Sequence, residues 1–159
     1  MSKVIMLCGR LCSGKTTYAK NLSNELGAVI LSIDELMLTL LGNETGKMHD
    51  EYVRRSKEYL FKKASEIVNA GANVILDIGL WSRDERKSAR LFFALHETDC
   101  EIHYLKISDE EWLKRIEKRN SEITEGKSNS YFVDDGLKAK FISMFEAPDN
   151  NEADLIIEV

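Results

Sequence analysis

Near the N-terminus the chain reads Gly9-Arg10-Leu11-Cys12-Ser13-Gly14-Lys15-Thr16. This run matches the phosphate-binding pattern G-x-x-x-x-G-K-[ST], in which glycines let the backbone curl and present successive N–H groups to phosphate oxygens. It follows an apolar run, Val4–Cys8, and opens an amphipathic segment, Lys15–Leu26, which is the strand–loop–helix context that the pattern requires. The alternative is a glycine turn that only joins a strand to a helix, and this context argues against it.

Each part of this loop predicts a contact with a nucleoside triphosphate, ATP together with Mg²⁺. The start of the following helix adds its positive dipole end. We expect Lys15 to place its charge on the β and γ phosphates and the Thr16 hydroxyl to be a ligand of Mg²⁺. The predicted nucleotide-binding residues are the whole loop and its next residue: Gly9, Arg10, Leu11, Cys12, Ser13, Gly14, Lys15, Thr16 and Thr17.

Short apolar runs alternate with longer amphipathic segments along the rest of the chain. The runs are unbroken, as is typical of parallel strands covered on both faces. They are Val4–Cys8, Ala28–Leu31, Asn73–Leu76, Ile102–Ile107 and Leu155–Val159. The helical segments are Lys15–Leu26, Glu35–Leu41, Asp50–Ala70, Asp84–His96, Asp109–Asn120 and Asp134–Phe145. This alternation predicts an α/β fold with a parallel sheet, built as one domain over residues 1–159.

Composition limits the classes of partner. The net charge of −5 argues against a nucleic-acid-binding surface, so any phosphate-binding site has to be a local cluster of residues. No apolar run is long enough for a membrane span or a signal peptide, and the three cysteines show no disulfide framework. We therefore expect a cytoplasmic protein with reduced thiols and no membrane partner. Its oligomeric state is left open.

Motifs that are missing from the sequence narrow the class of phosphate-loop protein. The Asn-Lys-x-Asp motif with which GTPases read the base is absent. The third apolar run ends in Asp77-Ile78-Gly79, so the adjacent glutamate that hydrolytic motors use to polarise water is also missing. A small phosphotransferase remains, with a small-molecule acceptor.

Two strand-end carboxylates are the candidates for the chemistry. Asp34 follows the second apolar run, where it can accept the proton of a substrate hydroxyl that attacks the γ-phosphoryl group. The alternative is that Asp34 only caps the following helix. Asp77 ends the third run and is expected near Mg²⁺, directly or through water, or as a residue that orients the substrate. Its alternative is a solvated strand-end acid.

The segment after Asp77 supplies three further substrate candidates. Trp81 is expected to line the acceptor pocket, with simple packing as the alternative. Arg83 and Arg86 are expected to hold an anionic acceptor, with ion pairing to Asp84, Glu85 or other acids as the alternative.

Arg115 and Arg119 stand one helical turn apart, so they share one helix face. Phosphoryl transfer spreads negative charge over the transferring group, and we expect both arginines to stabilise it and Arg115 to contact the nucleotide as well. The alternative is salt bridging, for example between Glu111 and Arg115. The polar stretch Ser121–Ser130 is the candidate lid, over residues of about 120–133.

Taken together, these motifs resemble the small P-loop kinase-like ATP-binding proteins, the AAA-domain ATP-binding proteins, whose relatives include chloramphenicol phosphotransferase, zeta toxins and the kinase domains of polynucleotide kinases. The residues that carry the resemblance are Gly9–Thr16, Ser32-x-Asp34, Val74–Arg83, Arg115-x-x-x-Arg119-Asn120 and Phe145–Pro148. The resemblance implies five strands in the order 2-3-1-4-5, an acceptor-side aspartate at Asp34 and lid arginines at Arg115 and Arg119. It also implies that Phe145–Glu152 lies near the adenine.

Three functions fit these residues. The first is transfer of the γ-phosphoryl group of ATP to a small hydroxylated molecule. The second is a 5′-hydroxyl kinase that acts on nucleic-acid ends, which needs a basic groove beside Asp34. The third is a nucleotide-binding switch without transfer activity.

Overall fold

The computed structural model describes residues 1–42, 46–128 and 132–159. The strands are β1 (Val4–Cys8), β2 (Val29–Ser32), β3 (Val74–Asp77), β4 (Cys100–Lys106) and β5 (Leu155–Glu158). The helices are α1 (Lys15–Leu26), α2 (Ile33–Leu41), α3 (His49–Asn69), α4 (Arg83–Leu95), α5 (Asp109–Thr124) and α6 (Asp135–Met144). A short 3₁₀ turn, Gly46–Met48, precedes α3.

The strands form one parallel sheet in the order β2-β3-β1-β4-β5, which confirms the predicted fold and strand order. β1 lies in the centre and ends at the phosphate-binding loop. In β2 and β3 the register pairs Ser32 with Asp77, so the carboxyl ends of these two strands are level with each other. The residues that follow β1, β2 and β3 therefore meet at one edge of the sheet.

Both faces of the central strand are covered, which is why its sequence is apolar throughout. Val4, Met6 and Cys8 pack on the side of α3 and α4, and each is fully buried. Ile5 and Leu7 face the opposite side and pack against α1.

A third apolar cluster lies beyond the carboxyl ends of the strands. Its buried members are Ile107, which follows β4, Trp112 and Ile116 of α5, and Val133, which precedes the N-cap of α6. Leu11 and Cys12 pack against this cluster, so the phosphate-binding loop rests on α5 as well as on the sheet.

Two helix boundaries differ from the sequence prediction by two residues or more. Helix α2 begins at Ile33 rather than Glu35, because Ser32 is its N-cap and accepts a hydrogen bond from the Glu35 N–H at 3.3 Å. Helix α5 continues past Asn120 to Thr124. None of the helices in the described ranges has the length and apolar character needed to cross a membrane.

Candidate active site

Gly9, which begins the phosphate-binding loop, sits in a space that admits no side chain. A Cβ atom at this position would lie 2.7 Å from Ser13 Oγ and 2.9 Å from the Leu105 carbonyl oxygen, and the residue has a φ of 154°. The loop is closed by a hydrogen bond of 3.2 Å from Ser13 N–H to the Arg10 carbonyl. The first glycine of the pattern is therefore required by close packing between the loop and β4.

Lys15 is folded back onto this loop. Its ammonium group donates hydrogen bonds to the carbonyl oxygens of Gly9 at 2.9 Å and of Arg10 at 2.8 Å. Burial lowers the pKa of Lys15, and the neighbouring Asp77 carboxylate opposes that shift. A positive charge is thus held inside the loop.

The predicted metal ligands, Thr16 and Asp77, lie side by side. The Thr16 hydroxyl is 3.4 Å from Asp77 Oδ2. Burial raises the pKa of Asp77, and the charge of Lys15 opposes this rise. Hydroxyl and carboxylate oxygens are ligands that suit Mg²⁺. No group of three or more histidine, cysteine, aspartate or glutamate side chains in residues 1–42, 46–128 and 132–159 could hold a metal ion.

Asp34 is the second residue of α2, and its side chain is exposed. Ser32 caps this helix, so capping is not the role that the structure gives to Asp34. The Asp34 carboxylate acts on both charged neighbours, raising the pKa of Lys15 and that of Asp77. Three charged groups from α1, α2 and β3 therefore lie close together at the carboxyl edge of the sheet.

Helix α5 brings its arginines to the other side of the loop. Arg115 donates to Glu111 Oε1 at 2.8 Å and to the Cys12 carbonyl at 3.4 Å. Arg119 Nη1 is 3.8 Å from Cys12 Sγ. Arg115 thus forms the salt bridge with Glu111 that was the alternative to a nucleotide contact, and it also contacts the phosphate-binding loop.

Trp112 fixes α5 to the phosphate-binding loop, a role that the sequence analysis did not predict. Its indole N–H donates to the Leu11 carbonyl at 2.9 Å, and the ring is 1% exposed. The Arg10 guanidinium lies over Trp112 at 5.4 Å and over Phe145 at 5.7 Å, and it forms an ion pair with Asp109. A tryptophan in the first turn of an otherwise charged helix is the signal that could have identified this anchor.

Asn120 holds together the two ends of the predicted lid. Its side-chain amide donates to the Val133 carbonyl at 2.8 Å and accepts from the Val133 N–H at 2.9 Å. Residues 129–131 of that segment lie outside the described residues. The lid over residues of about 120–133 stays a prediction.

The arginines after Asp77 adopt the ion-pairing alternative. Arg83 pairs with Asp149 at 2.6 Å and with Glu152 at 3.3 Å. The Arg86 side chain is 2% exposed and pairs with Glu152 at 3.2 Å. It also donates to three carbonyl oxygens, those of Leu80, Trp81 and Glu146. Both arginines therefore bind the segment before β5, and a contact with an anionic acceptor stays a prediction.

Trp81 packs against other aromatic rings, as in the alternative to a role in the acceptor pocket. The ring contacts Phe141 and Phe145 edge-on, with centroids 5.3 Å and 6.4 Å away. It lies across Gly79, where a Cβ atom would come within 2.7 Å of the indole nitrogen. With a φ of 60°, Gly79 lets the chain turn beneath the ring.

The two arginines give a matched test of this network. Arg86→Ala is expected to lower the free energy of unfolding by about 3–5 kcal/mol, because it leaves Glu152 without a buried partner and removes the donor for three carbonyls. Arg83→Ala should cost less than about 1 kcal/mol, because its side chain is 61% exposed. Urea unfolding of both variants measures the difference. Equal losses would contradict the structural role given to Arg86.

Comparison with known proteins shows which family the chain matches. The model of a family described as AAA domain matches residues 4–138. No curated protein sequence matches the chain.

Solved structures of kinases share the fold. The APS kinase of Mycobacterium tuberculosis, in complex with AMPPNP and APS, is 20% identical with a TM-score of 0.70, over 99% of this chain and 88% of that one. An unliganded sugar kinase from Janibacter sp. HTCC2649 is 19% identical with a TM-score of 0.66, over 99% and 86%. A gluconokinase from Sinorhizobium meliloti 1021 is 12% identical with a TM-score of 0.60, over 99% and 82%. The P-loop kinase fold predicted from the sequence is thereby confirmed.

Proposed function

Since the chain belongs to this AAA-domain family, we propose that it is an ATP-dependent phosphotransferase that acts on a hydroxyl group of a small molecule. One observation carries the proposal. Lys15, Asp34 and Asp77 come from three separate segments, and each carboxylate influences the pKa of the same half-buried lysine of the phosphate-binding loop. A cation for phosphate and a carboxylate for an attacking hydroxyl thus lie within electrostatic range of each other.

The donor half of the proposed site is the loop from Gly9 to Thr16. The ammonium group of Lys15, now bonded to two loop carbonyls, would turn to the β and γ phosphates of ATP. Ser13 Oγ is fully buried and has no hydrogen-bond partner among the described residues. Such a group calls for an explanation, and a bound anion or an ordered water would supply the missing partner.

Thr16 and Asp77 are the residues that would hold Mg²⁺. Because no larger cluster of acidic or imidazole side chains lies in the described residues, most of the remaining ligands would be phosphate oxygens and water, as is usual for this ion. The bound metal would supply charge that neutralises the phosphates.

The acceptor half depends on Asp34. Its exposed carboxylate takes the proton of the acceptor hydroxyl while that oxygen bonds to the γ-phosphorus. The bond between the γ-phosphorus and the bridging oxygen breaks, and ADP leaves with the electron pair. Arg115 and Arg119, which lie along the loop at Cys12, would stabilise the charge of the transferring group.

The related structures support this class of reaction. Two of them are named as a sugar kinase and a gluconokinase, and a third was solved with AMPPNP. These names suggest a small molecule as the acceptor and ATP as the donor. At identities of 19%, 12% and 20% to this chain, these structures show a shared fold and not a shared substrate.

Removal of the positive charge of Arg119 should reduce the rate of phosphoryl transfer more than it weakens the binding of ATP. Arg119→Ala is expected to lower kcat by about 10²-fold or more, because a guanidinium that meets developing phosphoryl charge acts chiefly in the transition state. The KM for ATP should change by less than about threefold. Lys118→Ala is the control, because its exposed side chain is the neighbour of Arg119 in sequence. An effect confined to KM would assign Arg119 to ground-state binding.

The proposed function is tested with a panel of small alcohols. We expect ADP release with ATP and Mg²⁺ to rise above the acceptor-free rate for at least one alcohol, and Asp34→Asn to abolish that increase. An acceptor-free rate that no alcohol raises would overturn the proposal.

A further inference from the structure

The surroundings of Asp34 bear on the chemical class of the acceptor. The acceptor side is defined here as α2, which carries Asp34, the turn Gly46–Met48 with the following helix α3, which packs against α2, and residues 78–86 after Asp77. An acceptor that reaches Asp34 has to pass or contact these elements. Their charges therefore decide which substituents it can carry.

The arginines on the acceptor side are already paired with carboxylates of the chain. Helix α2 has no lysine or arginine. On α3, Arg54 pairs with Glu51 at 2.8 Å and with Glu58 at 2.5 Å, and Arg55 pairs with Glu51 at 2.7 Å. Arg83 and Arg86 are held by the segment before β5, as described above, and Lys57 pairs with Glu85.

Two lysines are left without an ion pair among the described residues of this region, Lys47 and Lys62. Both are exposed single charges on flexible stems. They do not form the planar fork with which arginine binds a phosphate or a carboxylate in two places.

An anionic acceptor would instead meet negative charge. The Asp34 carboxylate raises the pKa of Asp77, and a phosphate, sulfate or carboxylate group on the acceptor would add a further negative charge beside Asp34. Lys15 lies beside both carboxylates, but the proposed function assigns its charge to the phosphates of ATP, so it does not offset an anionic group on the acceptor.

Apolar surface is available at the same place. Leu38 follows Asp34 by one helical turn, so the two side chains share a face of α2, and Leu38 is 58% exposed. Leu40 is also exposed, at 69%, but it lies on a different face of the helix. Leu38 is therefore an exposed apolar side chain on the face of α2 that carries Asp34.

From this arrangement we infer that the acceptor is an alcohol without an anionic group and that its carbon skeleton contacts Leu38. The inference rests on the proposed function. It separates this chain from kinases of phosphorylated, sulfated or carboxylated metabolites and from a kinase of nucleic-acid 5′ ends, whose substrate carries a phosphodiester next to the reacting hydroxyl.

Matched pairs of alcohols test the inference. Each pair consists of a neutral alcohol and a phosphorylated or carboxylated derivative that keeps the same hydroxyl. We expect kcat/KM for the neutral member to exceed that of its anionic partner by about tenfold or more, which corresponds to about 1.4 kcal/mol. Preference for the anionic member would overturn the inference while leaving the proposed function in place. Turnover of neither member in any pair would overturn both.

A second pair of variants tests the apolar contact. With the neutral alcohol that is turned over best, Leu38→Ala should raise the KM for the acceptor by about tenfold, which is the low end for losing a buried leucine contact. The KM for ATP should not change. Leu40→Ala is the matched control on the same helix. Equal effects of the two substitutions, or no effect of Leu38→Ala, would show that the acceptor does not contact Leu38.

Discussion

Asparagine in place of Asp34 is expected to lower kcat for phosphoryl transfer by about 10²–10⁴-fold, the range that a positioned general base contributes. Asparagine keeps the size of the side chain but cannot take up the proton of the acceptor hydroxyl. Because Asp34 is exposed and Ser32 caps α2, the substitution leaves the helix and its capping bond intact. The dissociation constant for ATP should stay within about threefold of the wild-type value.

Glu35→Gln provides the control for this prediction. Glu35 is the next residue of α2 and is also an exposed carboxylate, but its side chain points about 100° away from that of Asp34 around the helix. Single-turnover kinetics with saturating ATP would compare the two variants. If both lose activity equally, general negative charge rather than proton transfer is the contribution of α2. Unchanged turnover of Asp34→Asn would remove Asp34 from the mechanism.

Replacing Lys15 by methionine is expected to weaken ATP binding by about 10²-fold or more, in line with 2–5 kcal/mol for the loss of one partner of a buried charge pair. Methionine fills a similar volume but donates no hydrogen bond to Gly9 and Arg10 and carries no charge for the phosphates. The pKa of Asp77, which Lys15 holds down, should rise further in this variant.

Calorimetric titration with ATP and Mg²⁺ would measure this loss, and urea unfolding would show whether the variant is folded. Lys20→Met serves as control because Lys20 is an exposed lysine on the same helix, α1. An affinity like that of the wild-type protein in the folded Lys15→Met variant would contradict the assignment of residues 9–16 as a nucleotide-binding loop.

The sequence predicted the sheet well because its strands are buried on both faces. An unbroken apolar run such as Val4–Cys8, followed by a glycine loop and an amphipathic helix, has few alternative structures, and β1 and α1 begin and end where they were predicted. The boundary of α5 was less predictable. Ser121 to Thr124 is polar and suggests a loop, yet a hydrogen bond from Glu125 N–H to the Ser121 carbonyl continues the helical pattern.

The contacts of Arg83 and Arg86 could not be predicted, because their carboxylate partners, Asp149 and Glu152, lie more than sixty residues away in the chain. Spacing alone suggested that they face an acceptor. Tertiary packing instead buries Arg86 against Glu152 and three carbonyls, where desolvation is tolerated only with a full set of partners. The convergence of Lys15, Asp34 and Asp77 was predictable, since parallel strands end at one edge of the sheet.

The destination of the γ-phosphoryl group tests the account most directly. ATP labelled at the γ-phosphorus would be incubated with the protein, Mg²⁺ and the panel of neutral alcohols, and the products would be separated into inorganic phosphate and organic phosphate esters. The account predicts label in a phosphate monoester of at least one alcohol with the wild-type protein, and none with Asp34→Asn. Label found only in inorganic phosphate, at a rate that no alcohol changes, would contradict it.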